Sequence, residues 1–202
     1  MIAIINYGVG NLYSLKSSLD SLGIDSVITG DVSEIKNSDK IILPGVGAFR
    51  DAAASLKSCG LDTVIIEEAK NGKPIMGICL GMQMLFEKSY EYGEHNGLGL
   101  LQGKVVPMEG VLPQEYKIPH IGWNHLIFKQ QNPLFRYIKE GDFVYFVHSY
   151  YAVDCDTAIT STAEYDKDIT ATVEKGNVYG CQFHPEKSGN VGLNILKAFC
   201  EI

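Results

Sequence analysis

Through the first half of the chain, short apolar-centred runs alternate with segments of helical period. Ile2–Ile5, Asp25–Thr29, Lys40–Leu43 and Pro74–Ile78 are each closed by turn residues and predict buried strands. Leu12, Leu15, Leu19 and Leu22 recur at three- and four-residue spacing and predict a helix, as do Ala52–Leu56, Leu61–Ala69 and Leu80–Phe86. Strands separated by covering helices imply a mostly parallel sheet with both faces buried. From Val105 the texture changes. Leu126–Phe128, Phe143–Val147, Ala158–Ala163, Ala171–Val173 and Val178–Phe183 predict strands with no long helices between them, so antiparallel strands are added to the α/β sheet before a closing helix at Asn190–Phe199. No repeat, linker or low-complexity stretch interrupts the pattern, which predicts one domain over residues 1–202.

Composition narrows the class. With 46% hydrophobic and 20% charged residues, the 202-residue chain reads as an ordinary globular domain with a sizeable core. A net charge of -7 without any Lys/Arg block speaks against a nucleic-acid or anionic-membrane surface. The start lacks a basic leader, and no apolar run reaches the length of a membrane span. Five cysteines without CxxC spacing suggest neither a disulfide scaffold nor a zinc site, and predict a reduced, cytoplasmic setting.

One of those cysteines stands apart. Gly77-Ile-Cys-Leu-Gly81 joins the Pro74–Ile78 strand to the helix that follows, with a glycine two residues to either side of Cys79. This is the layout of a nucleophile elbow. The nucleophile occupies a strained strand-to-helix turn, and a Cβ at either glycine would collide with neighbouring backbone. Near the other end, His184 and Glu186 close the Val178–Phe183 strand, separated by Pro185. A His that activates a Cys needs a third group to orient it and to stabilise the imidazolium. Alternation along an extended segment places His184 and Glu186 on one side, so Cys79, His184 and Glu186 form the predicted triad.

Gly-x-Cys-Leu-Gly-x-Gln at 77–83 together with His184-Pro-Glu resembles the class I glutamine amidotransferases. Tyr7-Gly-Val-Gly-Asn-Leu12, Pro44-Gly-Val-Gly-Ala-Phe49, Pro119-His-Ile-Gly-Trp-Asn124 and His184-Pro-Glu-Lys-Ser188 resemble, more narrowly, the glutaminase-subunit family of imidazole glycerol phosphate synthase. The resemblance implies a flavodoxin-like parallel sheet and a glutaminase that frees ammonia from L-glutamine. Cys79 attacks the amide and His184 serves first as base and then as acid. It also implies no metal or organic cofactor. The implied partner is a (β/α)8-barrel synthase subunit that takes up the ammonia in histidine biosynthesis.

Roles for further residues follow from the same resemblance. Tetrahedral chemistry wants two backbone N–H donors. Leu80, after the nucleophile, supplies one, and Val46 or Gly47 supplies the other; read alone, Pro44–Phe49 is equally a plain turn. Gln83 sits one helical turn past Cys79, facing the substrate. Glu91 pairs with the substrate's α-ammonium, although by itself it reads as a solvated charge in a polar loop. Ser149 and Tyr150 offer main-chain contacts at a strand end, and His148 is either part of that site or a hydrogen-bonded core residue. Gly8, Val9, Gly10 and Asn11 fail the G-x-G-x-x-G dinucleotide pattern at Tyr13 and are implied to face the partner. Trp123, Asn124 and Lys187 complete that implied interface; for Trp123 the plain alternative is a core residue. His95, His120 and His125 read as structural. A paralogous ammonia-using synthase, such as a sugar amidotransferase, and a non-catalytic module of the same fold are the competing readings.

Overall fold

The computed structural model describes residues 1–202. Strands β1 (Ile2–Ile5), β2 (Ser26–Thr29), β3 (Lys40–Gly45) and β4 (Ile75–Cys79) alternate with helices α1 (Leu12–Ser21), α2 (Val32–Asn37), α3 (Phe49–Ser58) and α4 (Leu61–Lys70). Helix α5 (Leu80–Met84) follows Cys79 directly. Then come β5 (Phe86–Ser89), β6 (His95–Asn96), β7 (Leu101–Pro107), β8 (His120–His125), β9 (Ile127–Phe128), β10 (Phe143–His148) and β11 (Tyr150–Val153). The chain closes with β12 (Ile159–Tyr165), β13 (Lys167–Lys175), β14 (Val178–Cys181) and α6 (Gly189–Cys200). No helix is long and apolar enough to cross a membrane.

The main sheet runs β2-β1-β3-β4-β14-β13-β12-β9. Pairing is parallel from β2 to β14 and antiparallel beyond it. Strand alternation divides the core between its faces. Ala3, Ile5, Ile41, Leu43 and Ile75 pack under α3 and α4, while Ile2, Ile4, Ile42, Met76 and Ile78 pack under α1 and α6. A strand buried on both faces has no polar side, so these strands read as continuous apolar runs. The predicted antiparallel addition is present, and two smaller sheets accompany it: antiparallel β10-β8, and β11-β7-β5-β6, in which β5 and β7 run parallel.

Three local readings are corrected. The helix predicted over Leu80–Phe86 stops at Met84, because Phe86 enters β5 and pairs with Leu101 of β7. Helix α2 was not predicted: its six residues are too short for a periodicity argument, yet Asp31 caps it by accepting from Glu34 N–H at 3.0 Å. Finally, Pro185–Lys187 is a single 3-10 turn rather than extended chain. Proline suits the first turn of a helix, where its missing N–H costs nothing.

Candidate active site

The topology brings three separate motifs to one edge of the sheet. Central β4 is flanked by β3 and β14, with Gly45 opposite Cys79 and Cys181 opposite Ile78. The Pro44–Gly47 loop, the Cys79 turn and the His184 turn therefore leave the carboxyl ends of neighbouring parallel strands, where α/β sheets bind ligands.

Cys79 has φ 54° and ψ -112°, a positive-φ conformation that a non-glycine residue adopts only under constraint. Its two glycines are sterically required. A Cβ on Gly81 would lie 1.8 Å from the Leu43 carbonyl oxygen, and one on Gly77 would lie 2.6 Å from Met82 Cα. Behind the turn, the buried Tyr7 hydroxyl donates to the Pro44 carbonyl at 2.8 Å and so braces the adjacent loop.

His184 and Glu186 meet despite the 3-10 turn, Nδ1 to Oε1 at 2.8 Å, with both side chains 3% exposed. The other ring nitrogen, Nε2, is left for Cys79. Burial opposes a charged ring here, but hydrogen bonds and charge from Cys79 and Glu186 outweigh it and carry His184 up to about 9. Both partners thus favour the charged form of the ring. The backbone holds the turn in place, since His184 N–H donates to Tyr145 O at 3.0 Å and Tyr145 N–H to Ser188 Oγ at 2.9 Å.

Cys79 and His184 open on a cleft of about 580 Å3, of a size for a small polar molecule. Val46, Gly47 and Leu80 line it beside the sulfur, and Gly47 has φ +97°. Gln83 also lines the cleft. Its amide nitrogen donates to Tyr150 O at 3.1 Å and to Gln182 Oε1 at 3.0 Å, so Oε1 is the atom left for a ligand. Glu91, Ser149 and Tyr150 are on the walls. Glu91 is not a fully solvated charge: Oε2 accepts from Phe49 N–H at 2.7 Å, at the first turn of α3. The carbonyls of Ser149 and Tyr150 are engaged inward, the first by Met108 N–H at 2.9 Å. Lys187 is exposed at the rim.

The other named residues lie around this edge. Gly8, Val9, Gly10 and Asn11 form the β1–α1 loop. Trp123 is 55% exposed, so it is no core residue; with Ile121 and Phe143 it forms the outward apolar face of the β8–β10 pair. Asn124 points the other way, donating to Glu164 O at 2.9 Å and lying 3.4 Å from His120 Nε2. His148 is a hydrogen-bonded core residue, with Nδ1 2.8 Å from Tyr150 O and Nε2 3.1 Å from His120 Nδ1. His120 is stacked between Phe146 and Tyr165. Burial lowers His120 to about 4 and His148 to about 3. Sequence reading passed over Gln182, whose Nε2 lies 3.7 Å from Cys79 Sγ. Its signal was a lone amide inside an apolar strand, since a buried polar group must be answered by partners.

A strained elbow cysteine, an adjacent buried His–Glu pair and a flanking glycine loop thus meet at one edge of the sheet. The family model for class I glutamine amidotransferases matches residues 3–201, and the chain belongs to that family. Relatives narrow the branch. The chain is 51% identical to the imidazole glycerol phosphate synthase subunit HisH of Caldanaerobacter subterraneus subsp. tengcongensis, covering 100% of this chain and 98% of that one. It is 46% identical to the same subunit of Wolinella succinogenes, covering 100% of both. Among solved structures, a glutamine amidotransferase superposes with a TM-score of 0.78 at 17% identity over 100% of this chain and 98% of that one. PurLQS from Thermotoga maritima gives 0.77 at 22% identity, covering 99% and 97%. At those identities the likeness is one of fold.

Proposed function

We propose that residues 1–202 form one cytoplasmic glutaminase unit that supplies ammonia to a (β/α)8-barrel synthase subunit making imidazole glycerol phosphate in histidine biosynthesis. The observation that carries this reading is the meeting of Cys79 and the His184–Glu186 pair in one cleft. Cys79 Sγ attacks the side-chain carbonyl carbon of L-glutamine. His184 first takes the thiol proton as base and then delivers it as acid to departing ammonia. The neutral ring then takes a proton from water, which hydrolyses the γ-glutamyl thioester to glutamate and returns the sulfur. Leu80 N–H and an N–H from Val46 or Gly47 receive the oxyanion. Gln83 Oε1 and Glu91 accept from the substrate's polar N–H groups, and the Ser149–Tyr150 main chain lines its path.

Cys79→Ser is expected to lower glutamine-dependent synthesis by the complex at least about 10⁴-fold while ammonia-dependent synthesis persists. Wild-type glutamine turnover in Cys79→Ser would remove the nucleophile assignment. The isolated chain is expected to be a weak glutaminase that the acceptor-loaded partner stimulates, because Gly45 and Gly47 bracket a peptide whose N–H can turn toward or away from the site. One missing oxyanion donor accounts for about two to three orders of magnitude.

For the partner surface we propose the β1–α1 loop (Gly8, Val9, Gly10 and Asn11), Trp123 and Lys187. Asn124, half-buried with its amide held by Glu164 O, belongs to the same proposed surface. Trp123 is in edge contact with Tyr145, ring centroids 6.0 Å apart, and Tyr145 O holds His184 N–H. Trp123→Ala is expected to weaken partner binding by about thirtyfold, the scale of one interface anchor, with an unchanged unfolding midpoint. Titration of the partner reads both; unchanged affinity and stimulation would make Trp123 merely structural.

A further inference from the structure

Helix α5 has only five residues, so little macrodipole is available to Cys79, and a buried sulfur that gathers negative charge as it attacks must be answered by discrete donors. His184 is one, and it gives its proton away during turnover. We propose that Gln182 is the second: a catalytic residue whose amide N–H donates to Cys79 Sγ throughout the cycle, held in that orientation by Gln83 and the His148–His120 pair. This rests on Cys79 being the nucleophile.

The orientation follows from hydrogen-bond logic. An amide seen alone does not reveal which end is nitrogen. Tyr150 O can only accept, and it faces both His148 Nδ1 at 2.8 Å and Gln83 at 3.1 Å. Hence His148 carries its proton on Nδ1, and Gln83 turns its NH2 toward Tyr150. Nε2 of His148 is then bare, so His120 Nδ1 donates to it across 3.1 Å. The second N–H of Gln83 meets Gln182 at 3.0 Å, which must therefore present Oε1. That leaves the NH2 of Gln182 facing Sγ at 3.7 Å. Gln182 is 0% exposed, so its amide has to be answered by the groups around it. A reversed amide would set a carbonyl oxygen against the sulfur lone pairs. Gln182 does not titrate, so its donation persists while His184 cycles between charged and neutral.

The test compares Gln182→Met, which keeps the length and removes the donor, with Gln182→Glu, which sets an acceptor against the sulfur. Alkylation of Cys79 by iodoacetamide at pH 7 is measured on the full chain, and kcat and KM for glutamine on the complex with its synthase. Losing one charge-assisted bond is expected to slow alkylation and lower kcat by about ten- to a hundredfold in Gln182→Met, with a smaller change in KM, and further in Gln182→Glu. Gln83→Met, which releases the lock, is expected to give a smaller loss of alkylation in the same direction. Alkylation of folded Gln182→Met at the wild-type rate overturns the proposal, even where its unfolding midpoint falls. If the variants do not fold, native protein labelled with 15N-glutamine decides: a buried side-chain amide must shift when Cys79 is alkylated, and none shifting overturns it. Cys79→Ser keeps the two failures apart. A dead Cys79→Ser beside a wild-type Gln182→Met sinks only the donor role, whereas an active Cys79→Ser sinks the nucleophile itself.

Discussion

His184 and His148 are almost equally hidden, 2% and 6% exposed, and burial pushes both toward the neutral form. They end in opposite states. His184 faces two groups that favour a charged ring, Cys79 and Glu186, and rises to about 9. His148 faces a carbonyl, which one N–H of a neutral ring satisfies, and a second imidazole, and falls to about 3. Burial alone therefore predicts nothing about a histidine's charge; the partners decide. The consequences for stability are opposite in sign. The folded chain gains from His184 below its unfolded value near 6.5 and loses that gain as pH rises through about 9. It gains from His148 remaining neutral above about 6.5 and loses that gain as pH falls toward about 3.

Removing the charged ring is the harshest way to break the contrast. His184→Ala is expected to cost at least about 10⁴-fold in glutamine kcat, because no other group in the cleft replaces an acid that also pairs with the sulfur. Glu186→Gln keeps an oxygen opposite Nδ1 but removes the charge. It is expected to cost about fifty- to a hundredfold less than His184→Ala. It should also move the alkaline fall in activity, set near pH 9 by His184, toward neutrality. A pH–rate profile on the complex checks both. Losses below about tenfold in both variants, or an alkaline limb that stays in place in Glu186→Gln, would separate this histidine from the chemistry.

The two histidines also differ in how far sequence could reach them. Gly77 and Gly81 obey a local steric rule, so the elbow is readable from five residues. His184 and Glu186 are neighbours in sequence, and their contact survived even though the extended geometry expected of them is a 3-10 turn. The pair at His148 depends on register. His120 lies opposite His148 in β8–β10, and no local pattern states which residues of two distant strands will face each other. The plain reading of Glu91 as a solvated charge missed its partner for the same reason, as Phe49 N–H lies 42 positions away. Helix α2 was legible through Asp31 and Glu34, but a cap without a following apolar period is a weak signal. The parallel half was the more legible part of the fold, since each strand and helix there carries its own pattern. In the second half of the chain β5, β6 and β8 take their partners from tertiary context.

The mildest perturbation acts on the neutral member. His148→Gln retains an N–H for Tyr150 O and an oxygen for His120 Nδ1, so its fold and hydrogen bonds should be largely preserved. What it removes is the proton-binding difference. Between about pH 6.5 and 3 the unfolded wild-type chain holds a proton on residue 148 that the folded chain refuses, so acid favours unfolding. Glutamine binds no such proton in either state. Urea midpoints taken from pH 7.5 down to pH 4 should fall less steeply in His148→Gln, by up to about 1.4 kcal/mol per pH unit within that window. At pH 7.5 the variant should be no more stable than wild type and weaker by about 1 kcal/mol where the new amide fits less well. Other acidic groups bend both curves alike, so the difference between them isolates this residue. Parallel curves would mean that His148 is protonated inside the fold, and the bare Nε2 that accepts from His120 Nδ1 would then be wrong.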